Sequence, residues 1–198
     1  MSEHYYTAKP STEHQTRWIE EEIRGVRMSF MTDRGVFSKG GIDFGSRLLI
    51  ETMQIPDQSR LLDVGCGYGP IGLFAQKLNA TCQVTMIDIN ERALQLAATN
   101  AARNGLDQVR IHQSDQLSAV QDQKFDMIVT NPPIRAGKQV VHGIFESAHA
   151  CLNKGGTLWI VIQKKQGAPS AQAKLQDLFD EVEELTKDKG YRIYRAVK

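Results

Sequence analysis

Hydrophobic and polar positions alternate near the start of the chain in the pattern of extended structure. Three apolar residues in the segment 25–38 fall on one face of a strand: Val26, Met28 and Phe30. Asp33-Arg34-Gly35 in the same segment supplies a turn, because aspartate and glycine are common in turns. Over residues 43–53 the apolar positions recur at helical spacing, up to the break at Pro56. We therefore expect a strand pair and then a short amphipathic helix.

From residue 60 onwards, short apolar runs alternate with segments of helical period. The apolar runs predict strands at 61–64, 84–87, 109–112, 125–130 and 158–162. Helices are predicted between them, at 71–78, from the cap Asn90 to Gly105, at 138–152, and from Pro169-Ser170 onwards. Two further strand-like segments, 182–185 and 191–196, have no helix between them. These two should therefore pair as an antiparallel hairpin.

This order of elements predicts the fold class. Alternating strands and helices give an α/β protein with a doubly wound, Rossmann-like sheet, here of seven mostly parallel strands with an antiparallel C-terminal hairpin at one edge. Ligands of such sheets bind beyond the C-terminal ends of the strands. We expect an N-terminal extension with the strand pair over residues 1–40 and the ligand-binding domain over residues 41–198.

The composition is that of an ordinary globular protein: 198 residues, of which 41% are hydrophobic and 24% charged. No apolar run reaches the roughly 18 residues needed to cross a bilayer, and the N-terminus lacks a signal-peptide pattern. Three cysteines are odd in number and widely spaced: Cys66, Cys82 and Cys151. They predict neither a disulfide framework nor a zinc site. We expect a cytoplasmic protein that binds no membrane and no metal.

The net charge of +1 argues against general attraction to nucleic acid, but the charge is unevenly distributed. Between residues 127 and 176, one acid, Glu146, stands against six basic residues: Arg135, Lys138, Lys154, Lys164, Lys165 and Lys174. A chance cluster of solvated lysines and a binding surface explain this window equally well.

A glycine-rich turn follows the first apolar strand of the alternating region. Gly65 and Gly67 allow a tight turn and a close approach of the backbone to a ligand, and Gly69 and Gly72 are spaced differently from a dinucleotide-binding motif. The strand ends in Asp63. A carboxylate there would repel a pyrophosphate and suits a ligand with an ammonium group. We interpret the turn as the site of the methionyl part of S-adenosylmethionine, and a nicotinamide-dependent oxidoreductase is the least favoured alternative.

Two further acids follow strands of the same predicted sheet. Asp88 ends the second strand, where nucleoside-binding folds place an acid on the ribose hydroxyls. Asp115, in Ser114-Asp115-Gln116, follows the third strand and could reach the adenine edge. Either acid could instead cap the helix that follows its strand.

Asn131-Pro132-Pro133, at the end of the fourth strand, indicates the reaction class. The lone pair of an exocyclic amino nitrogen is conjugated with its ring, so the amine is a weak nucleophile. The Asn131 amide oxygen and the Pro132 carbonyl could accept its two hydrogens and favour a pyramidal nitrogen. Consecutive prolines fix φ and remove competing N–H donors. We therefore predict methyl transfer to a conjugated amine by positioning and electrostatics, with these three residues as the catalytic group.

Together these motifs resemble the amino-methylating branch of the class I methyltransferases. The segment 35–49, which includes Gly-Val-Phe-Ser and Asp-Phe-Gly-Ser-Arg-Leu-Leu, is similar to RsmC-type small-subunit ribosomal RNA guanine-N2 methyltransferases. The resemblance implies S-adenosylmethionine as the cofactor and places Phe37 and Ser46 beside it, although Phe37 could equally be a core residue. The predicted cofactor contacts are Phe37, Ser46, Asp63, Gly65, Cys66, Gly67, Asp88, Ile89, Asp115, Gln116 and Asn131.

The chain departs from that family in two respects. The best-known members carry an additional N-terminal domain, which leads us to expect leaner or differently sited RNA recognition here. They also often place an aromatic residue after Asn-Pro-Pro, where a flipped base could stack. Ile134 occupies that position and offers an apolar face without a π system.

The resemblance implies a guanine of small-subunit (16S) ribosomal RNA as substrate, with ribosomal RNA or the small subunit as partner. Four basic residues near the predicted site could contact phosphates: Arg135, Lys138, Lys164 and Lys165. Three alternatives stay open. The acceptor could be adenine N6 or a protein glutamine amide, or the protein could be a non-catalytic, cofactor-binding assembly factor for RNA or ribosomes.

Overall fold

An antiparallel hairpin begins the part of the chain that the computed structural model describes, residues 15–33 and 40–198. Its strands are β1 (Arg17–Ile23) and β2 (Val26–Thr32). Arg24 and Gly25 join them with φ angles of 53° and 75°, the left-handed pair that two-residue hairpin turns favour. Met28 and Phe30 are buried, as the alternation of the sequence predicts.

The sequence pattern misplaces this hairpin. It predicts the pair over 25–38 with a turn at 33–35, whereas the structure pairs 17–23 with 26–32. Three consecutive glutamates, residues 20–22, obscure the alternation in β1. Of these, Glu21 accepts a hydrogen bond from the Ile42 backbone N–H at 3.0 Å and forms an ion pair with Arg47. Residues 34–39, including the rest of the predicted turn, lie outside the described residues.

Seven further strands form a single twisted sheet. They are β3 (Arg60–Val64), β4 (Gln83–Asp88), β5 (Arg110–Gln113), β6 (Phe125–Thr130), β7 (Leu152–Gln163), β8 (Glu181–Asp188) and β9 (Tyr191–Val197). The strand order is β5-β4-β3-β6-β7-β9-β8. Strands β3 to β7 are parallel, while β9 runs antiparallel to both β7 and β8. The prediction of seven mostly parallel strands with an antiparallel C-terminal hairpin is confirmed.

Five helices cover the two faces of this sheet. They are α1 (Phe44–Thr52), α2 (Pro70–Leu78), α3 (Glu91–Arg103), α4 (Lys138–Cys151) and α5 (Ala168–Leu178). Adjacent residues of β3 show the division: Leu61 packs into a core with α1, α2 and α3, while Leu62 packs into a second core with α4 and α5. Side chains of a strand point alternately to opposite faces, so a sheet buried on both sides needs apolar residues at both kinds of position.

The N-terminal hairpin packs against the first of these cores. Asn100 of α3 donates to the Met31 carbonyl at 3.1 Å, and the Met31 N–H donates back to its side-chain oxygen. Asn104, one turn later, exchanges the same two hydrogen bonds with Ser29. The two amides thus satisfy backbone groups of β2. The division of the chain at residue 40 stays a prediction.

Strand β7 is the element whose length differs most from its prediction. It begins at Leu152, directly after α4, and not near residue 158. The early part pairs Leu152 with Phe125 and is separated from the regular pairing by an irregularity in register. Gly155 and Gly156 lie in this stretch, and glycines weaken the strand pattern in a sequence. Within residues 15–33 and 40–198, no helix has the length and apolar character that a membrane span requires.

Candidate active site

A cavity of about 520 Å³ opens at the C-terminal edge of the sheet, between β3 and β6. The connections that follow the adjacent strands β3 and β6 run over opposite faces of the sheet. The loops after these two strands therefore separate and leave a crevice between them. Most of the wall comes from the C-terminal ends of four parallel strands and the segments after them, with two residues at the start of α1: 64–68, 87–90, 114–116, 131–136, Asp43 and Ser46.

The glycine-rich turn forms the floor of this cavity. Gly65 and Gly67 have φ angles of 71° and 58°, a region that costs glycine little and other residues much more. A Cβ atom at either position would meet no atom of the described residues within 4 Å, its two chain neighbours aside. The N–H groups of Gly65 and Cys66 both donate to the Ile87 carbonyl, at 2.9 and 3.0 Å. The turn is therefore held to β4 and leaves open space beside its backbone.

Asp63 lies beneath the turn and not on the cavity wall, which corrects the interpretation that its carboxylate faces the ligand. The side chain is fully buried, and its Oδ2 accepts a hydrogen bond from the Gly72 N–H at 2.8 Å. Its Oδ1 has no hydrogen-bond partner among the described residues. Asp63 thus fixes the start of α2 against β3. A Cβ at Gly72 would come within 3.1 Å of Oδ2, so the glycine permits this contact.

Burial makes the Asp63 carboxyl group an unusually weak acid. Loss of solvent raises its pKa from 3.8 to about 7, the Gly72 hydrogen bond opposes the rise, and the nearby Asp88 carboxylate adds to it. A carboxyl group in an apolar site favours its neutral form because an unpaired charge there loses its hydration. At neutral pH Asp63 is therefore partly protonated in the folded protein.

This shift predicts how stability changes with pH. Between about pH 4 and pH 7 the folded protein keeps the Asp63 proton while the unfolded chain releases it, so its contribution to folding weakens as the pH rises. Relative to Asp63→Asn, whose amide stays neutral, the unfolding free energy of wild type should fall across this range by up to about 4 kcal/mol. Above about pH 8, where Asp63 is ionised in both states, the difference should be level.

Chemical denaturation of the cofactor-free protein between pH 4 and pH 8 measures this difference. Asp107 is exposed and lies away from the cavity, so Asp107→Asn should show no comparable trend against wild type. A constant difference between wild type and Asp63→Asn would contradict the assignment.

Asp88, unlike Asp63, lines the cavity. It is half-buried at the end of β4, where Oδ2 accepts from the Gly67 N–H at 2.8 Å and Oδ1 from the Asn90 N–H at 2.9 Å. Desolvation raises its pKa, and the backbone donors of Asn90, Gly67 and Ile89 counteract the rise. Each carboxylate oxygen can accept more than one hydrogen bond. Asp88 therefore shapes the turn and still offers acceptor sites to a ligand.

The remaining acid and its neighbours form the next part of the wall. Asp115 is exposed on the cavity rim after β5, and Gln116, with a φ of 49°, lies next to it. Ile89 follows Asp88 and provides a half-buried apolar surface. The structure thus brings all three predicted residues to the cavity.

Asn131 also lines the cavity, directly after the end of β6. Its Nδ2 donates to Ser46 Oγ at 3.0 Å and to Asp43 Oδ1 at 3.2 Å. A carboxylate only accepts hydrogen bonds, so these contacts fix which end of the amide is which. No described residue donates to the Asn131 oxygen, and that acceptor is available to a ligand.

The two prolines form a tight turn in a way that differs from the prediction. Pro133 has φ −76° and ψ 80°, the values of an inverse γ-turn. The Ile134 N–H donates to the Pro132 carbonyl at 2.9 Å. The expectation that the prolines leave this carbonyl without a competing donor is therefore wrong, because the donor comes from the residue after them. A carbonyl has two lone pairs, and one is left for a ligand.

A family model described as "Methyltransferase small domain" matches residues 27–195 of this chain. The chain belongs to this methyltransferase family. Membership confirms the resemblance that the sequence motifs indicate, and with it an S-adenosylmethionine-dependent methyltransferase domain.

Individual relatives extend this result. A Bacillus subtilis (strain 168) protein designated uncharacterized protein YbxB is 52% identical over the whole of both chains. Ribosomal RNA small subunit methyltransferase C of Vibrio vulnificus is 34% identical, over 96% of this chain and 56% of its own. The 16S rRNA N2 G1207 methyltransferase (RsmC) of T. thermophilus, solved in complex with AdoMet and guanosine, superposes with a TM-score of 0.83 at 26% identity.

The coverage of these comparisons is unequal. The T. thermophilus superposition spans 96% of this chain and 52% of that one. The chain thus spans about half the length of the ribosomal RNA methyltransferases that it matches, while it matches the B. subtilis protein over its full length.

The cavity fits the cofactor of this methyltransferase domain. The open space beside the glycine turn lets a ligand approach the protein backbone closely, and Asp88 provides hydrogen-bond acceptors next to it. Cys66 also lines the cavity, and burial, together with the Asp88 and Asp63 carboxylates, raises the pKa of its thiol. It is therefore a neutral, space-filling side chain and not a nucleophile. The described residues contain no group of three potential metal ligands.

The predicted basic residues lie on the cavity wall or close in sequence to residues that line it. Arg135 is on the wall, and Lys138 begins α4 nearby. Lys164 and Lys165 are exposed in a short 3₁₀ turn after β7, next to Gln166, which lines the cavity. Phe37, the remaining predicted cofactor contact, lies outside the described residues.

Asp43 and Tyr191 are among the cavity residues to which sequence reasoning assigned no role in the site. The sequence does carry a signal for Asp43, because an aspartate three positions before Ser46 has the spacing of a helix N-cap. In the structure Asp43 caps α1 by accepting a hydrogen bond from the Ser46 N–H at 3.1 Å. Tyr191 gave no local signal. It reaches the cavity only because β9 pairs beside β7 and its first residue falls opposite Gln163.

Proposed function

We propose that this methyltransferase domain transfers a methyl group to the exocyclic N2 amine of a guanine in small-subunit (16S) ribosomal RNA, acting in the cytoplasm on the RNA or the small subunit. The observation that carries the proposal is the fixed amide of Asn131, whose free oxygen faces a cavity suited to the cofactor. The RsmC relatives support the choice of substrate, since the T. thermophilus enzyme is described as an N2 guanine methyltransferase and was solved with guanosine.

S-adenosylmethionine, when bound, supplies an electrophilic methyl group on a sulfonium. On the protein side, Gly65 and Gly67 would hold its methionyl part, with Cys66 filling the space between them. Asp88 would accept from the ribose hydroxyls, while Ile89, Asp115 and Gln116 would surround the adenine. Phe37 remains a candidate on the basis of resemblance alone.

The acceptor amine would be oriented by two oxygens of the chain. The Asn131 Oδ1 and the free lone pair of the Pro132 carbonyl would each accept one N–H hydrogen. Holding both hydrogens on one side would direct the nitrogen lone pair to the other side, toward the methyl group. The nitrogen would gain the methyl as the carbon–sulfur bond breaks, and its surplus proton would pass to solvent. The rate enhancement would then come from positioning and electrostatic complementarity.

Asp43 and Ser46 would act as positioning residues for this step. They do not need to touch the substrate, because both already hold the Asn131 Nδ2. Ser46 is buried at 3% exposure, and Asp43 is fixed by capping α1. A rigid amide loses little freedom on binding the amine, which is the condition for efficient positioning.

The predicted basic residues would contact RNA phosphates. Replacing Lys164 and Lys165 with alanine should make the dependence of RNA affinity on salt concentration shallower, by about 0.7 logarithmic units of slope for each lost contact. Filter binding to 16S RNA between about 50 and 200 mM salt measures the slope.

A double replacement at the opposite sheet edge is the matched control. Lys124 precedes β6 and Lys154 lies in the early part of β7, both away from the cavity, so Lys124→Ala with Lys154→Ala should leave the slope unchanged. An unchanged slope in the Lys164/Lys165 variant would remove these residues from the proposed interface.

Labelled S-adenosylmethionine tests the proposed reaction. The protein is incubated with unmodified small ribosomal subunits, with free 16S RNA and with protein extract, and the products are digested and identified by mass spectrometry. We expect label in N2-methylguanosine. Label in N6-methyladenosine or methylglutamine would reject guanine as the acceptor, and no transfer despite cofactor binding would favour a non-catalytic assembly factor.

A further inference from the structure

An aromatic side chain at the cavity mouth has no role in the reaction described so far. Tyr191 is the first residue of β9 and lines the cavity together with Asp43, Ser46 and the Asn-Pro-Pro segment. The side chain is half-buried, and no described residue forms a hydrogen bond with its hydroxyl. Part of the ring packs against the core, and the rest borders the cavity.

The structure fixes the position of this ring closely. A Cβ atom at Gly45 would come within 2.9 Å of the Tyr191 Cε1, so the absence of a side chain on α1 lets the ring lie against the helix start. The Phe44 ring packs beside it, with centroids 5.5 Å apart and planes tilted by 49°. Asp43, which precedes both, holds Asn131. The ring is therefore anchored to the same helix start that orients the catalytic amide.

A positive charge lies behind this pair of rings. The Lys189 Nζ is 4.5 Å from the Phe44 ring centroid, within the range of a cation–π contact. Lys189 and Gly190 form the turn before Tyr191, and the Gly190 carbonyl accepts from the Lys164 N–H at 2.7 Å. The Tyr191 ring on the cavity wall and the lysines in the neighbouring turns, Lys189 and Lys164, match the two parts of a nucleotide, the base and its phosphates.

We infer that Tyr191 provides the stacking surface for the target nucleobase, with Phe44 and Lys189 supporting it from behind. The inference rests on the proposed function. Single bases extruded from RNA are commonly stacked on aromatic side chains. Ile134, directly after Asn-Pro-Pro, has no π face, and Tyr191 supplies one at the same cavity from another strand. A glutamine side chain has no ring to stack, so this surface favours a nucleobase.

Three substitutions test the stacking role. In methylation of 16S RNA, Tyr191→Leu should lower kcat/KM by about 10- to 100-fold, the loss expected when a base loses an aromatic partner. The change should fall mainly on KM, with S-adenosylmethionine affinity and melting temperature close to wild type. Tyr191→Phe keeps the ring and should restore most of the lost kcat/KM.

Trp18 provides the control, because it is the exposed aromatic of β1, at 48% exposure, and does not line the cavity. Trp18→Leu should leave kcat/KM unchanged. If Tyr191→Leu is as active as wild type, or if Tyr191→Phe loses as much as Tyr191→Leu, the stacking inference is overturned.

A binding measurement separates this inference from the proposed reaction. Protein loaded with S-adenosylhomocysteine is titrated with free guanosine and adenosine, and saturation-transfer NMR reports contact between nucleoside and protein. Wild type and Tyr191→Phe should give saturable signals that Tyr191→Leu reduces at least about 10-fold in affinity.

The two ideas can fail separately. Nucleoside binding that depends on Tyr191, without any guanine methylation, would contradict the proposed function and support the stacking surface. Guanine methylation together with nucleoside binding that is independent of Tyr191 would support the proposed function and contradict the stacking surface.

Discussion

Asn131→Ala should lower kcat by roughly 100- to 1,000-fold, the loss typical of removing one group that stabilises a transition state. The alanine variant loses the only side-chain oxygen proposed to hold the acceptor amine. The affinity for S-adenosylmethionine should change little, because the proposed cofactor contacts are the glycine turn after β3 and Asp88 at the end of β4, which the substitution leaves intact. Steady-state kinetics at saturating substrates gives kcat, and calorimetric titration gives the cofactor affinity.

A second asparagine serves as the control for this substitution. Asn153 donates to Asp126 at 2.8 Å and does not line the cavity, so Asn153→Ala should keep wild-type kcat. Near-normal turnover in Asn131→Ala would refute the role of its amide. A large loss of cofactor affinity with no loss of kcat at saturation would assign Asn131 to the cofactor instead.

Asp88→Ala should weaken S-adenosylmethionine binding by about 100-fold or more. The substitution removes the acceptor of two backbone N–H groups, Gly67 and Asn90, and also the proposed ribose contacts, and hydrogen bonds to a charged group contribute about 1.5–3 kcal/mol each. Isothermal titration measures the dissociation constant. At saturating S-adenosylmethionine, the kcat of Asp88→Ala should recover to a large extent toward the wild-type value.

Surface aspartate substitutions provide the comparison. Asp107 lies away from the cavity, so the Asp107→Ala variant should bind the cofactor like wild type. Asp115 is exposed on the rim, so Asp115→Ala should lose less affinity than Asp88→Ala. Equal losses at positions 88 and 115 would contradict the ranking that burial and hydrogen bonding imply.

The sheet and the floor of the site could be predicted because they depend on local sequence. Gly65 and Gly67 need left-handed backbone angles that only glycine adopts freely, and Asp88 follows its strand directly. Apolar runs mark β3, β4 and β6 because these strands are buried on both faces. Their common C-terminal edge then follows from parallel topology alone.

The features that were missed depend on contacts between distant segments. The three glutamates of β1 obscure the alternation of that strand, and Glu21 is explained by the approach of Arg47 and of the Ile42 N–H from later segments. From its place before a glycine turn, Asp63 is predicted to contact the ligand. Its Oδ2 instead accepts a hydrogen bond from the N–H of Gly72, nine residues later. Tyr191 reaches the cavity through strand pairing across the sheet. None of these arrangements is encoded by spacing along the chain.

A crystal structure of the protein with S-adenosylhomocysteine and guanosine tests the central claim most directly. The account predicts the guanine N2 at a hydrogen-bond distance of about 2.7–3.2 Å from the Asn131 Oδ1. The sulfur of the cofactor product should lie on the opposite side of that nitrogen, above Gly65 and Gly67. A guanine bound elsewhere, or an Asn131 amide whose oxygen is turned toward Asp43, would contradict it.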